Sequence, residues 1–267
     1  MFDVRCLNPK AAPLAKSAAS LHNQRVDIST GALINAIGIL LGAFIGLSWD
    51  KTPSLRTQLF FRNVIGAFTM FLGLRLIYTS IDGTLWVCMK EIGIMLLSVI
   101  LGFWTGKLLR LQKFSNYLGR LAGNAIAAAQ RNPDINRSDA FNACAILFCA
   151  APLGIIGAVT DGLSGYFYFL AVKAAMDALA MVGFVKIFNW PAALSALPVL
   201  VFFSVVSLGA QLYVKPCVSP GALDSIGAAA GLVACIITIV IFEVRRVELA
   251  NYLPALAIAP LLTKFLG

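Results

Sequence analysis

Long apolar runs separated by short polar stretches fill the sequence from Gly31 onwards. A helix needs about 20 such residues to cross a hydrocarbon core about 30 Å thick, where each backbone polar group must be paired within its own segment. The runs are continuous rather than alternating, which argues against a membrane barrel. We therefore predict an all-α, polytopic transmembrane bundle of about eight spans. The predicted segments are Gly31–Trp49, Phe60–Tyr78, Ile92–Leu109, Ala140–Val159, Tyr166–Phe188, Ala192–Val214, Leu223–Phe242 and Leu249–Leu266.

Two of these segments are weaker than the rest, so seven spans is the alternative count. The second contains Arg75, and the last contains Pro254 and Pro260. Segment four also contains Pro152, which has no N–H to donate within the helix. Interrupted helices of this kind often surround the binding sites of transporters, although a plain kink is the alternative interpretation of any one proline.

The connection from Lys107 to Asp139 is longer than the others and predicts a helix at the membrane surface, between spans three and four. Apolar residues recur in it at helical spacing, and basic residues surround them, as in helices that bind lipid headgroups. A solvated loop is the alternative. The apolar positions are Leu111, Phe114, Leu118 and Leu121, and the basic ones are Lys107, Arg110, Lys113 and Arg120.

Composition supports a membrane protein, since 60% of the residues are hydrophobic and 12% are charged, against about 25% charged in soluble domains. The net charge is +9, and most basic residues lie between the apolar runs. There they orient the chain and meet lipid headgroups. We expect the bilayer as partner, and no nucleic acid. The connections after segments one, three, five and seven hold most of this charge, so we place them on the cytoplasmic side.

The chain divides into two unequal parts. Residues 1–29 are polar and contain Pro9 and Pro13, which predicts a disordered tail. Residues 30–267 form one predicted transmembrane domain.

Several short motifs resemble those of the YqgA/YdfK-like bacterial membrane proteins, a family of unknown function. The resemblance covers about residues 28 to 267, and it implies a multi-pass protein of the bacterial inner membrane without implying an activity. The motifs are Gly31-Ala-Leu-Ile-Asn35-Ala-Ile-Gly38, Asp161-Gly-Leu-Ser-Gly165, Lys173-x-x-x-Asp177, Ser195-Ala-Leu-Pro198, Asn251-Tyr-Leu-Pro254-Ala-Leu and Ala259-Pro260-Leu-Leu.

Lys173 and Asp177 are the sharpest candidates for a functional site. They are four residues apart in segment five and share one helix face. Counted from Tyr166, they lie roughly 10 Å and 16 Å deep. Each costs about 2.5–3.5 kcal/mol at a helix centre, so we expect both to face the bundle interior or water. The pair predicts an ion or solute site or a proton relay, and a structural ion pair is the alternative.

Other polar residues could extend such a site. The segment Asp161–Gly165 predicts a tight turn between segments four and five. An entry gate is one interpretation of this turn, and a plain turn is the alternative. Asn35 lies on a glycine-rich face of segment one, where close helix packing is the alternative. The residues expected along a substrate or ion path are Lys173, Asp177, Asp161, Asn35, Asn142 and Asn251.

The sequence gives no sign of catalysis. His22, the only histidine, lies in the tail, which excludes histidine triads and His-Glu-x-x-His zinc sites in the bundle. We expect no enzyme, metal or cofactor. Two classes remain: a transporter or channel for a small polar solute or ion, and a scaffold or regulatory protein whose glycine faces serve assembly, including a homo-oligomer. A water-filled cavity that reaches Asp177 favours the first, and a dry, paired Lys173–Asp177 favours the second.

Overall fold

The computed structural model describes residues 29–49, 54–81, 83–131 and 137–266, and these residues are helical with no strand. The tail predicted for residues 1–29 lies outside this part of the chain, except for Ser29. The Ser29 hydroxyl caps the first helix by accepting a hydrogen bond from the Ala32 N–H at 3.1 Å. The helices are α1 Thr30–Ser48, α2 Leu55–Ser80, α3 Leu85–Leu108, α4 Leu111–Arg131, α5 Arg137–Cys149, α6 Pro152–Ser164, α7 Tyr168–Phe188, α8 Ala196–Gly209, α9 Pro220–Ile241 and α10 Ala255–Leu266.

All of these helices except α4 belong to seven candidate spans, or eight if the bent pair counts as one, which confirms the predicted transmembrane bundle. Seven helical segments of the described chain are long and apolar enough to span a bilayer, and α5 and α6 form an eighth, bent by 62°. Short 3-10 and π turns extend α8 at both ends, and a 3-10 turn precedes α10. Helices α2 and α3 begin five and seven residues before their predicted segments, at Leu55 and Leu85.

The helix packing shows that α5 and α6 cross the whole bundle. Helix α1 packs in parallel on α7: Gly31 lies against Leu170, and Gly46 lies against Val185 at the other end. The α6 residue Asp161 accepts hydrogen bonds from Ser29 and Gly31 where α1 begins. Helix α5 starts at the opposite end, after α3 and α4. The broken pair is therefore one interrupted span and not a re-entrant loop.

Glycines allow the main chains of α1 and α7 to touch, as the glycine-rich face of segment one predicted. A β carbon built on Gly38 would lie 2.8 Å from the carbonyl oxygen of Ala174, and one on Gly42 would lie 2.7 Å from the Ala178 Cα. These are closer than real β carbons approach backbone, so larger residues would separate the two helices. Asn35 is held on this interface with no exposed surface.

Helix α7 lies between two apolar clusters. Its residues Leu170 and Met181 pack into a cluster with α1, α5 and α8, and its residues Phe169 and Val172 pack into a second cluster with α2, α6 and α9. A charged side chain on α7 that points into the bundle is therefore surrounded by protein.

The predicted helix between spans three and four is present as α4. Its first turn is joined to the start of span eight, because the Gln112 N–H donates to the Asn251 side-chain oxygen at 3.2 Å, and the Gln112 side chain accepts from the Ala250 N–H at 3.1 Å. Phe114 and Tyr117 are exposed on its surface, in agreement with an amphipathic helix beside a membrane.

The turn predicted for Asp161–Gly165 is wrong in position. Helix α6 continues to Ser164, and Gly165 ends it with φ = 73°. Among residues 161–165, only Gly165 adopts the left-handed conformation that glycine favours. The Asp161 N–H and carbonyl therefore belong to a regular helix, and the chain turns between Gly165 and Phe167.

Candidate functional site

Lys173 and Asp177 form an ion pair near the middle of the 21-residue helix α7. The Lys173 ammonium donates a hydrogen bond to the Asp177 carboxylate, one turn along the same helix. Lys173 is 1% exposed and Asp177 is 7% exposed. Both side chains point into the bundle, as the cost of a charge facing lipid requires.

Two phenyl rings face the Lys173 ammonium. Its Nζ atom lies 5.8 Å from the centre of the Phe148 ring in α5 and 5.4 Å from the centre of the Phe203 ring in α8. These are cation–π distances, and a desolvated pair of this kind is worth about 2 kcal/mol. The rings stabilise the ammonium without neutralising it, so Asp177 remains its counter-charge.

The break between α5 and α6 lies beside this pair. Gly154, in the first turn of α6, packs on the Lys173 side chain so closely that a β carbon there would be 2.6 Å from Lys173 Cε. The Cys149 thiol, at the end of α5, lies close enough to interact electrostatically with both Lys173 and Asp177. Ala151 precedes α6 and gives it no side-chain cap. An interrupted helix thus meets a buried ion pair inside the bundle.

Asn35 approaches Asp177 from α1. Neither its amide nitrogen nor its amide oxygen has a hydrogen-bond partner of ordinary geometry, although the residue is 0% exposed. A buried polar group without a partner costs about 1–3 kcal/mol. The Asn35 amide thus faces the Asp177 carboxylate inside the bundle without a well-formed hydrogen bond.

The other predicted path residues do not join this group. Asp161 lies about 10 Å further along α6 than Gly154 at 1.5 Å per residue, where it caps the start of α1. Asn142 is exposed near the start of α5. Asn251 is buried, but it bonds to Gln112 and to Glu248 at the end that carries α4. The structure brings together Lys173, Asp177 and Asn35.

Sequence reasoning missed the residues that surround Lys173. Phe148, Gly154 and Phe203 come from three helices, and no short-range pattern connects them to residue 173. Pro152 was the one signal near them, because it marks the break where two of these three residues lie.

Comparison with known proteins agrees with the resemblance in the motifs. The chain is 25% identical over 231 residues to "Uncharacterized protein YqgA" of Escherichia coli (strain K12), covering 86% of this chain and 94% of that protein. It is 20% identical over 231 residues to "Uncharacterized membrane protein YdfK" of Bacillus subtilis (strain 168), covering 86% of this chain and 93% of that protein. No solved structure matches the chain. The family described as "Protein of unknown function (DUF554)" matches residues 30–264. This multi-pass membrane protein therefore belongs to that family.

Proposed function

We propose that this protein is a transporter of a small polar solute or ion in the bacterial inner membrane, with Lys173 and Asp177 as its binding site. The observation that carries the proposal is the buried amide of Asn35, which faces the Asp177 carboxylate but makes no hydrogen bond of ordinary geometry. An unused donor and acceptor at the middle of a membrane bundle is costly, and a bound ligand would use both. We propose no enzymatic activity.

The interrupted span supports the same function. Broken helices in transporters bring free backbone groups to a site near the bilayer midplane. Here the break between Cys149 and Pro152 adjoins the ion pair. In this proposal the structure represents an occluded state, in which the ion pair is closed to both sides of the membrane.

A second candidate function is favoured by the burial of the pair. Lys173 and Asp177 are closed on each other, as a structural ion pair in a non-transporting scaffold would be. The two candidates differ in whether water ever reaches the pair, because transport requires that it opens to at least one side.

The native cysteines provide a test of water access. Cys149 lies beside the pair, whereas Cys144 is buried at 1% exposure one and a half turns earlier in α5. In variants that each keep one of them as the sole cysteine, a charged methanethiosulfonate should modify Cys149 in membranes. Cys144 serves as the matched control and should stay unmodified. A Cys149 that remains as unreactive as Cys144 with every applied solute would favour the scaffold.

A further inference from the structure

We propose that the site carries a small monovalent anion together with one proton, so that Asp177 holds the proton and Lys173 holds the anion. This inference rests on the proposed transport function and specifies its ligand. Three features that lie together carry the inference. They are the Lys173–Asp177 pair, the first turn of α6, which has no side-chain cap, and the buried Asn35 amide, which has no hydrogen bond of ordinary geometry.

Positive charge converges on one side of the pair. Gly154 holds the first turn of α6 against the Lys173 side chain. Helix α6 has 13 residues and no side-chain cap, so its N-terminus carries a partial positive charge. Pro152 has no N–H, and the Gly154 N–H bonds to the Ala151 carbonyl at 3.0 Å, so the helix offers an anion its dipole more than free donors. An anion at this position would meet both the ammonium and the helix N-terminus.

Asn35 provides an independent sign of a ligand. It is 0% exposed, and its amide nitrogen faces Asp177 without a hydrogen bond of ordinary geometry. Its neighbour Asp177 is already bonded to Lys173. If Asp177 gives up that bond, the Asn35 side chain can donate to the anion through nitrogen and accept from a protonated Asp177 through oxygen. Each orphaned atom then has a partner.

A cation is a worse fit at the same place. It would add a like charge beside the Lys173 ammonium and the α6 N-terminus, and either is unfavourable in a low-dielectric interior. Asp177 is the carboxylate that faces Lys173, and the neighbouring groups on other helices are the Cys149 thiol, the Asn35 amide and the phenyl rings of Phe148 and Phe203.

The coupled step balances charge. A proton from one side binds a carboxylate oxygen of Asp177, the ion pair opens, and the ammonium of Lys173 takes the anion as its new counter-charge. Cys149 and Lys173 are the other titratable groups that face Asp177, and the proposed step transfers a proton only to and from Asp177. When the anion and the proton leave on the other side, the pair closes again. One anion and one proton therefore move together with no net charge.

Purified wild-type protein in liposomes tests this directly with a trapped pH dye. Chloride, nitrate or lactate replaces external gluconate, and liposomes without protein correct for leakage of free acid. We expect at least one of the three anions to acidify the lumen. Alkalinisation driven by sodium or potassium gradients would overturn the inference in favour of a cation antiporter, and transport of a neutral or cationic solute would overturn it as well. If nothing is transported, the proposed function itself fails.

Two single variants distinguish an anion from a cation as the ligand, because the two hypotheses predict opposite results for them. Asp177→Asn imitates the protonated carboxyl, so the anion exchange that it supports, at whatever rate, should move no protons and should not depend on pH. Lys173→Met should lose exchange about 30-fold or more, as expected when a buried charged contact is removed. The reverse pattern would overturn the inference. The wild-type dye measurement decides the question if a variant does not fold.

Discussion

The first turn of α6 packs directly on the side chain of Lys173, because residue 154 has no β carbon. One built there would lie 2.6 Å from Lys173 Cε and 2.7 Å from Phe203 Cε1. Through this contact the interrupted span formed by α5 and α6 packs on the ion pair. A change in the angle between α5 and α6 would therefore move Lys173.

Gly154→Ala should therefore lower both stability and transport. Overpacking of this kind costs about 1–3 kcal/mol, and the displaced Lys173 would bind its ligand less well. Gly183→Ala is the matched control in α7, since a β carbon there would meet no atom within 4 Å; it should be neutral or stabilise by up to about 1 kcal/mol. Thermal unfolding in detergent and liposome flux measure the two effects. Equal behaviour of the two variants would contradict the packing argument.

Asn35 and Asn251 should respond in opposite ways to replacement by leucine. Both are buried, but Asn35 has no hydrogen bond of ordinary geometry whereas Asn251 bonds to Gln112 and Glu248. Asn35→Leu removes an unpaired amide and should stabilise the protein by about 1–3 kcal/mol while flux is lost. Asn251→Leu should destabilise it by a similar amount. Unfolding curves and flux on the same preparations give the comparison, and a destabilised but active Asn35→Leu would argue against a ligand at this residue.

Two ion pairs between side chains should differ sharply in their effect on stability. Lys173 and Asp177 are buried, whereas the Arg62 and Glu243 side chains are 33% and 69% exposed. Lys173→Met leaves a buried carboxylate without a partner and should cost about 3–5 kcal/mol. Arg62→Met should cost at most about 1 kcal/mol, because solvent screens the pair. Equal losses of unfolding free energy would mean that water reaches the Lys173–Asp177 pair in the resting state.

The end of the bundle that carries α4 should face the cytoplasm. Asn124 is exposed on α4, and Cys217 is exposed at the opposite end of the bundle. In a background without other cysteines, Asn124→Cys should resist an impermeant thiol reagent in intact cells, whereas native Cys217 should react. Reaction of the first and protection of the second would reverse the orientation inferred from the basic residues.

The span pattern could be predicted from sequence because the bilayer imposes a minimum length on each apolar run. The glycine-rich face of α1 was predictable for the same local reason, since its residues recur at helical spacing. Which helix it contacts was not predictable: the parallel packing of Gly38 on Ala174 joins residues far apart in the chain. The turn at Asp161–Gly165 was misplaced because glycine and aspartate favour turns locally, and the packing of Gly162 on Ser207 favours the helix instead.

Within the candidate site, only the features that a single helix determines could be predicted from the sequence. Lys173 and Asp177 share a face of α7, so their pairing followed from spacing. The approach of Asn35 depends on the contact between α1 and α7, and the aromatic neighbours of Lys173 depend on the packing of α5 and α8. The distant candidates have other roles in the structure: Asp161 caps the start of α1, and Asn251 holds α4 through Gln112. Asn142 is exposed.

The most direct test of the central claim is the flux of the Lys173→Met, Asp177→Asn double variant, measured on protein whose unfolding is followed in parallel. Removing both charges leaves no unpaired ion, so stability should return to near that of the wild type after the loss seen in each single variant. If the pair is a transport site, this stable variant does not transport into liposomes the solute that the wild type transports. A double variant that is stable and transports at the wild-type rate would contradict the claim.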